Sequence, residues 1–493
     1  MWDLPQSALP RIFMKNRISV IAVIMLASTF FSSNSFGQNL NLNPILTDSF
    51  TNARQIGSLG GGITQLAFDP NDNSSLYATT FFGGVTRFDY AQGGVISNPQ
   101  QIISPNVNLN RDATHANGSY GIAFHDDPNL GSVLYLSRAL INDTSFTPRT
   151  QGLSSIVRVN DANGDGTFGG AGDLNQTIAD NVYTAQWTHQ LSQIQVHNDT
   201  LYIGSGSLTS NGGVDYGNGT LESGQDEIGE AAHTASILFI EDLTQIGTGD
   251  NAAYFDIGDD LSDPNDVTAL RTDTQVFEST DPGKLRVFST GLRNPFGIAV
   301  NDEGELYVTN NQGGATADQP DELFQSSFQD DHGFNKVGSE VGDYKDPDND
   351  NPSVQAARDA GFFATDTDGD LIVEGPTALL EANTAATGLD FVRAAGNDFD
   401  DFIVVARAAN GRAEDVVLVN PDTGELIQLF DNENFGQVTD VIVDPFGDLL
   451  IGSSSENTIS FVEVVGGTAS VPEPSTLVLL GLGAIGFATR RRR

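Results

Sequence analysis

The chain has no cysteine, so neither a disulfide nor a thiolate metal site can hold any part of it together. It is poor in methionine and tryptophan, with three and two, and above all poor in cations. Twenty-three lysines and arginines face 65 aspartates and glutamates, a formal charge of −42. Setting aside the two ends described below removes Arg11, Lys15, Arg17, the four arginines 490–493, Asp3 and Glu473. The 16 basic and 63 acidic residues left give −47. A chain so acidic lacks the basic footprint that binds nucleic acid. It is equally unsuited to an anionic lipid surface, and well suited to solubility outside a cell and to loose divalent-cation binding. Apolar runs of any length are confined to the two ends. Between them no phosphate loop, Ser-His-Asp order or His-rich metal motif is present.

What is abundant is glycine, 53 residues, and phenylalanine, 30, and they fall in a recurring pattern. Ile298-Ala299-Val300 is followed by Asn301-Asp302-Glu303-Gly304 and then Leu306-Tyr307-Val308, an apolar strand, a polar turn and a second apolar strand. The same unit recurs at 63–68 with 76–78, 120–124 with 133–136, 191–196 with 201–203, 388–391 with 402–405, and 438–443 with 449–451. Six copies at irregular spacing predict an all-β, six-bladed β-propeller whose blades carry insertions of different length. A β-sandwich with similar hairpins is the alternative. Residues 207–285, rich in Gly, Asp and Thr, read as a long insertion between blades three and four.

The ends are of another kind. Met14-Lys15-Asn16-Arg17, the apolar run 18–31 and Ser35-Phe36-Gly37 read as a signal peptide over 1–37, with an N-terminal anchor as the alternative. At the other end Val471-Pro472-Glu473-Pro474-Ser475 precedes an apolar run at 477–488 and four arginines at 490–493. This resembles the PEP-CTERM sorting tail of Gram-negative bacteria, with Pro472, Glu473 and Pro474 as the sorting motif. The resemblance implies an exosortase as partner, an apolar helix that occupies the inner membrane transiently, and delivery to the cell surface or extracellular matrix. A short apolar run backed by cations stops transfer with its positive end inside, so a plain C-terminal anchor is the alternative. The expected organisation is thus 1–37 leader, 38–466 propeller and 467–493 sorting tail.

Two clusters stand at matching places, just before repeat copies. Trp187-Thr188-His189-Gln190 precedes the third and Arg293-Asn294-Pro295 the fourth; Asp321-Glu322 and Asp331-His332-Gly333-Phe334 follow the fourth. Separately, Asp161, Asn163 and Asp165, with Gly166 at the sixth position, resemble the first half of a calcium loop. Position twelve is Gly172 rather than Glu, with Asp173 beside it as the substitute ligand. Asp366-Thr367-Asp368-Gly369-Asp370 is a second candidate of the same kind.

The clusters, with Gly291-Leu292-Arg293-Asn294-Pro295-Phe296-Gly297 as their best motif, resemble the soluble glucose/sorbosone dehydrogenase family over most of 60–460. Those are six-bladed propellers that oxidise sugars with pyrroloquinoline quinone (PQQ) and calcium. The resemblance implies an aldose or related alcohol as substrate, His189 as the general base, and Arg293 and Asn294 as holders of quinone oxygens. Three stretches depart from the family pattern. Gln193 stands where a basic residue is expected after the histidine. Gln437-Val438-Thr439-Asp440-Val441 replaces an arginine-containing R-x-R-D-V stretch, and Gly333-Phe334-Asn335 replaces Gly-Trp-Pro. Lys284, Lys336, Lys345 and Arg407 are the candidate replacement cations. A non-catalytic surface propeller that binds glycan or extracellular polysaccharide is the second functional reading.

Overall fold

A computed structural model describes residues 39–466 apart from 82, 105–115, 142–150, 186–188, 208–232, 255–274, 312–319, 334–356, 364–373, 383, 410–412 and 432–434. Both terminal expectations, the 1–37 leader and the 467–493 tail, lie outside the described residues. The described part is all-β, apart from a helical turn at Gln275–Glu278, helical residues at 357–359 and two short 3-10 segments.

Its strands form six antiparallel four-stranded sheets. Blade one is β2 (Ile63–Asp69), β3 (Asp72–Thr80), β4 (Val85–Ala91) and β5 (Val95–Ile103). Blade two is β6 (Ala116–Asp127), β7 (Gly131–Ile141), β8 (Gln151–Asn160) and β9 (Asn175–Ala185). Blade three is β10 (Leu191–His197), β11 (Thr200–Ser205), β12 (Ser236–Ile240) and β13 (Leu285–Thr290). Blade four is β14 (Pro295–Val300), β15 (Leu306–Asn310), β16 (Pro320–Ser326) and β17 (Ala378–Ala382). Blade five is β18 (Ala386–Phe391), β19 (Ile403–Ala409), β20 (Ala413–Val419) and β21 (Leu426–Gln428). Blade six joins the two ends of the domain: β22 (Val438–Val443), β23 (Leu449–Ser453) and β24 (Thr458–Val464) are completed by β1 (Phe50–Ser58), paired antiparallel to β24.

The six hairpins expected from the repeat are the first two strands of the six blades. The turn at 301–304 shows why that unit folds back: the Asn301 side chain accepts from the backbone N–H of Glu303 and Glu305, and Gly304 takes φ +86°. One expectation is corrected. Residues 207–285 are not an insertion between blades, because they contain β12, the third strand of blade three, and lead into β13. Ser236-Ile237-Leu238-Phe239-Ile240 is too short and too isolated by polar chain to stand out as a strand.

The core is not one centre but six seams. Each apolar cluster is shared by two adjacent blades, as when Ile459 and Phe461 of blade six meet Ile63, Leu66 and Leu76 of blade one. The first strands β2, β6, β10, β14, β18 and β22 line the channel, and each has an irregularity in its pairing near its start. At that level a closed ring of hydroxyl-to-carbonyl hydrogen bonds runs from blade to blade. Thr64 Oγ1 donates to Ser119 O (2.6 Å), Ser137 Oγ to Ser192 O (2.7 Å) and Ser192 Oγ to Pro295 O (2.6 Å). Thr309 Oγ1 donates to Thr387 O (2.6 Å), Thr387 Oγ1 to Val438 O (2.8 Å) and Thr439 Oγ1 back to Ile63 O (2.6 Å).

In blades two and four the hydroxyl comes from the second strand, and the first strand has glycine at that level. A Cβ on Gly121 would lie 2.7 Å from both Ser137 Oγ and Ser192 O, and one on Gly297 would lie 2.0 Å from Thr387 O. Gly297→Ala is therefore expected to force the seam between blades four and five apart, at a cost of about 1–3 kcal/mol. Gly60, whose Cβ would meet nothing within 4 Å, supplies the control. Chemical denaturation of both variants checks this: Gly60→Ala leaves the midpoint within error of the parent, and Gly297→Ala lowers it.

Candidate functional site

All six first strands run the same way along the channel, so everything that precedes them lies at one mouth. His189 and Arg293 precede β10 and β14, and the structure brings them together there. His189 is 2% and Arg293 3% exposed. Ser207, just past β11, joins them: its N–H donates to Arg293 O (2.7 Å), while its carbonyl O and Oγ each lie 3.1 Å from His189 Nδ1. A carbonyl can only accept, so a neutral His189 carries its proton on Nδ1 and Nε2 is left as the basic nitrogen. Burial and then the charge of Arg293 pull this imidazole well below its ordinary value, and the bond to the Ser207 backbone only partly opposes them. His189 is neutral at pH 7.

Arg293 Nη1 donates to Asn311 O (3.2 Å). Asn294 is fixed through its backbone: its N–H donates to Asn310 Oδ1 (3.0 Å) and its O accepts from Asn311 N (3.1 Å). Asn310 in turn reaches Glu322 Oε2 (3.2 Å). Asp321 accepts from Thr384 Oγ1 (3.0 Å) on the way into blade five. Asp331 and His332 run beside the end of β13, bonded to Thr290, with Asp331 Oδ1 against Gly291. Trp187, Thr188, Phe334 and Asn335 lie outside the described residues.

One cation escaped the sequence reading. Arg138 in β7 is 4% exposed, one residue beyond the hydroxyl ring on the His189 side, and burial pulls it down to about 10. The signal was there, an arginine ending the apolar run Leu134-Tyr135-Leu136, but a charge at a strand end is usually solvated. The expected replacement cations fare differently. Arg407 is spent on Asp415 (2.6 and 2.7 Å) and Glu381 (3.0 Å), and Lys284 bonds the carbonyls of Ala252 and Tyr254 at the start of β13, the far end. Lys336 and Lys345 lie outside the described residues.

Below the ring the channel is crossed by side chains. Gln193 of blade three donates from Nε2 to Thr64 O (3.1 Å), Thr439 O (3.0 Å) and Asp440 Oδ1 (2.9 Å), reaching blades one and six on the other side. Gln65 Nε2 donates to Ile194 O (3.0 Å), and its Oε1 accepts from Ile122 N (2.8 Å). Asp440 Oδ2 accepts from Leu66 N (2.6 Å). These three residues form the floor of a cavity of about 320 Å³ that opens at the opposite mouth, walled by Asp69, Asp390 and Arg393. This cavity lies on the other side of the plug from His189.

The 161–173 loop joins β8 to β9, also at the opposite face. Its carboxylates are turned onto its own backbone: Asp161 accepts from Asp165 N (3.0 Å) and Gly166 N (2.8 Å), Asn163 from Asp165 N (2.8 Å), Asp165 from Thr167 N (2.8 Å), and Asp173 from Asn163 N (3.2 Å) and Gly170 N (2.8 Å). Among the described residues no group of three or more His, Asp or Glu is arranged to hold a metal. Residues 366–370 lie outside them.

Comparison with known proteins adds two findings. Residues 470–493 match the PEP-CTERM protein-sorting motif, a signal of export and membrane-associated sorting in Gram-negative bacteria that implies processing by an exosortase. No curated protein matches the chain in sequence. Among solved structures, the soluble aldose sugar dehydrogenase of Escherichia coli in its apo-form is similar at TM-score 0.52 and 13% identity, covering 84% of this chain and 99% of that one. The PQQ-bound aldose sugar dehydrogenase of Streptomyces coelicolor is similar at 0.50 and 18%, covering 84% and 98%. A Trichoderma reesei carbohydrate-active enzyme of family AA12 is similar at 0.51 and 12%, covering 87% and 99%.

The plug yields a prediction about pH. Burial pushes the Asp440 carboxyl up to about 7, against the N–H groups of Leu66 and Gln193 that favour its charge. A folded value above the unfolded one means the native state holds a proton that the unfolded state has lost, so this contribution is present at low pH and fades as pH rises through 7. Asp440→Asn, which stays neutral, is expected to gain stability relative to the parent between pH 6 and pH 8. Parallel denaturation curves across that range measure it, and a difference independent of pH contradicts the assignment. The described chain is thus a six-bladed β-propeller with the fold of the soluble PQQ-dependent aldose dehydrogenases, and the sequence that follows it carries a PEP-CTERM sorting motif.

Proposed function

We propose that this is an exported, surface-sorted propeller that takes a sugar or related alcohol at the mouth holding His189 and Arg293. The observation that carries this reading is the neutral His189, its proton fixed on Nδ1 by Ser207, buried beside a guanidinium. Such a pair presents a basic nitrogen to a hydroxyl and a positive charge to the oxygen that results. Beside it, the buried acceptor Asn311 Oδ1 has no hydrogen-bond partner among the described residues, which favours a ligand rich in donors. Asn294 shapes this corner through its backbone.

Oxidation of that hydroxyl needs a hydride acceptor, and the resemblance implies PQQ with calcium. PQQ carries three carboxylates and needs fixed cations in so acidic a protein. The described donors do not fit it well. Gln193 is held in the plug, Thr439 in the hydroxyl ring and Arg407 by Asp415 and Glu381. Arg293 and Arg138 are the buried cations of the described residues beside the ring on this side. No step is therefore derived through the quinone, and this deficit favours the second reading, a non-catalytic propeller that binds glycan or extracellular polysaccharide.

Calorimetry of the purified chain with aldoses and oligosaccharides tests the site, and His189→Ala and Arg293→Ala are each expected to weaken binding about tenfold, roughly 1.4 kcal/mol. Dye-linked oxidation with added PQQ and calcium separates the two chemistries. The donor set predicts none; turnover that His189→Ala abolishes would establish the dehydrogenase. Binding unaffected by either substitution would remove the site.

A further inference from the structure

The direction of the strands fixes where the sorting tail leaves the propeller. The third strand of each blade runs parallel to the first, away from the His189–Arg293 mouth. β24 is the third strand of blade six, and it ends at Val464 and Gly466 beside the start of β1, with Val465 N bonded to Ser49 O. The chain therefore passes into its sorting tail at the face opposite the candidate site.

We propose that the propeller is held with this opposite face toward the membrane and the His189–Arg293 mouth toward the surroundings. The occupant of the face is the bilayer reached by the chain's own tail, which the match over 470–493 marks as sorted at a membrane. The tether is short. Ten residues, 467–476, separate Gly466 from the apolar run, and fully extended they reach at most about 35 Å. Turning the propeller over would require the tether to climb its whole thickness. The seven residues of β24 alone are about 24 Å long, before the turns at either face are counted. Processing at Pro472-Glu473-Pro474 would separate the propeller from the apolar run, so this orientation is that of the unprocessed chain.

The channel cannot undo this arrangement. Gln193, Gln65 and Asp440 cross it between the two mouths, so a ligand reaches His189 only from its own side. The turns of the tethered face carry exposed carboxylates, among them Asp126, Asp199, Glu303 and Asp401. Against an anionic bilayer they repel within a Debye length of about 8 Å, so the face stands off at the length of its tether rather than lying flat.

A chain without cysteine allows a direct test, because one introduced thiol labels one place. The full chain is reconstituted into phosphatidylethanolamine–phosphatidylglycerol vesicles that contain an acceptor-labelled lipid. Donor fluorophores are placed by Glu303→Cys and Asp422→Cys on the tethered face, and by Ser58→Cys and Glu456→Cys on the site face, all exposed positions. Energy transfer to the lipid acceptor is expected to be clearly stronger from Glu303→Cys and Asp422→Cys. Equal transfer from both faces would mean a propeller that tumbles on its tether, and stronger transfer from Ser58→Cys and Glu456→Cys would mean the reverse orientation; either overturns the proposal. The measurement needs no activity, so it stands or falls apart from the sugar site.

Discussion

Six hydrogen bonds hold the channel of this protein in shape. Each runs from a serine or threonine hydroxyl of one blade to a backbone carbonyl of the next, and together they close on themselves through Thr439 and Ile63. The irregularity in each first strand is what frees those carbonyls from the ladder. The apolar seams between blades supply most of the burial, but they are non-directional. The ring fixes the height at which the strands meet, and so the level at which His189, Arg293 and the plug are placed. It also explains the glycines at 121 and 297, which are required not for unusual backbone angles but for the space that a neighbouring blade occupies.

The ring divides the channel into two chemically different halves. On one side a neutral histidine and buried arginines face a mouth built from the loops between blades. On the other, Gln65, Gln193 and Asp440 close the passage over a cavity whose largely apolar wall carries Asp69, Asp390 and Arg393. The resemblance sets cations at 193, 437 and 439; here Gln193 supplies the plug and Thr439 the ring.

Much of the scaffold was legible in the sequence because its signal is local. Each first hairpin carries apolar strands around an Asp-, Asn- or Gly-rich turn, and the structure turns all six into the inner pairs of blades. The outer strands were not legible in the same way. β12 lies about thirty residues from the strand it pairs with, and β1 completes a blade whose other strands come four hundred residues later, so neither has a local signature. The ring was hidden for a different reason: its hydroxyls sit on first strands in blades one, three, five and six but on second strands in blades two and four, so no single repeat position encodes it. At the site, the placement of His189 and Arg293 before neighbouring strands made their meeting predictable. Ser207, which joins them, is eighteen residues from His189, and nothing in the sequence marks it. Arg407 misled because a cation at a strand end looks available until its carboxylate partners are seen.

The central claim is that the mouth holds a neutral histidine with its basic nitrogen at Nε2. Nitrogen-15 NMR of histidine-labelled protein, assigned with His189→Gln, reads both ring nitrogens directly. The account predicts a protonated Nδ1 and an unprotonated Nε2 at pH 7, unchanged down to pH 6, with the Nε2 resonance moving when an aldose is added. A His189 doubly protonated at pH 7, or carrying its proton on Nε2, would contradict it.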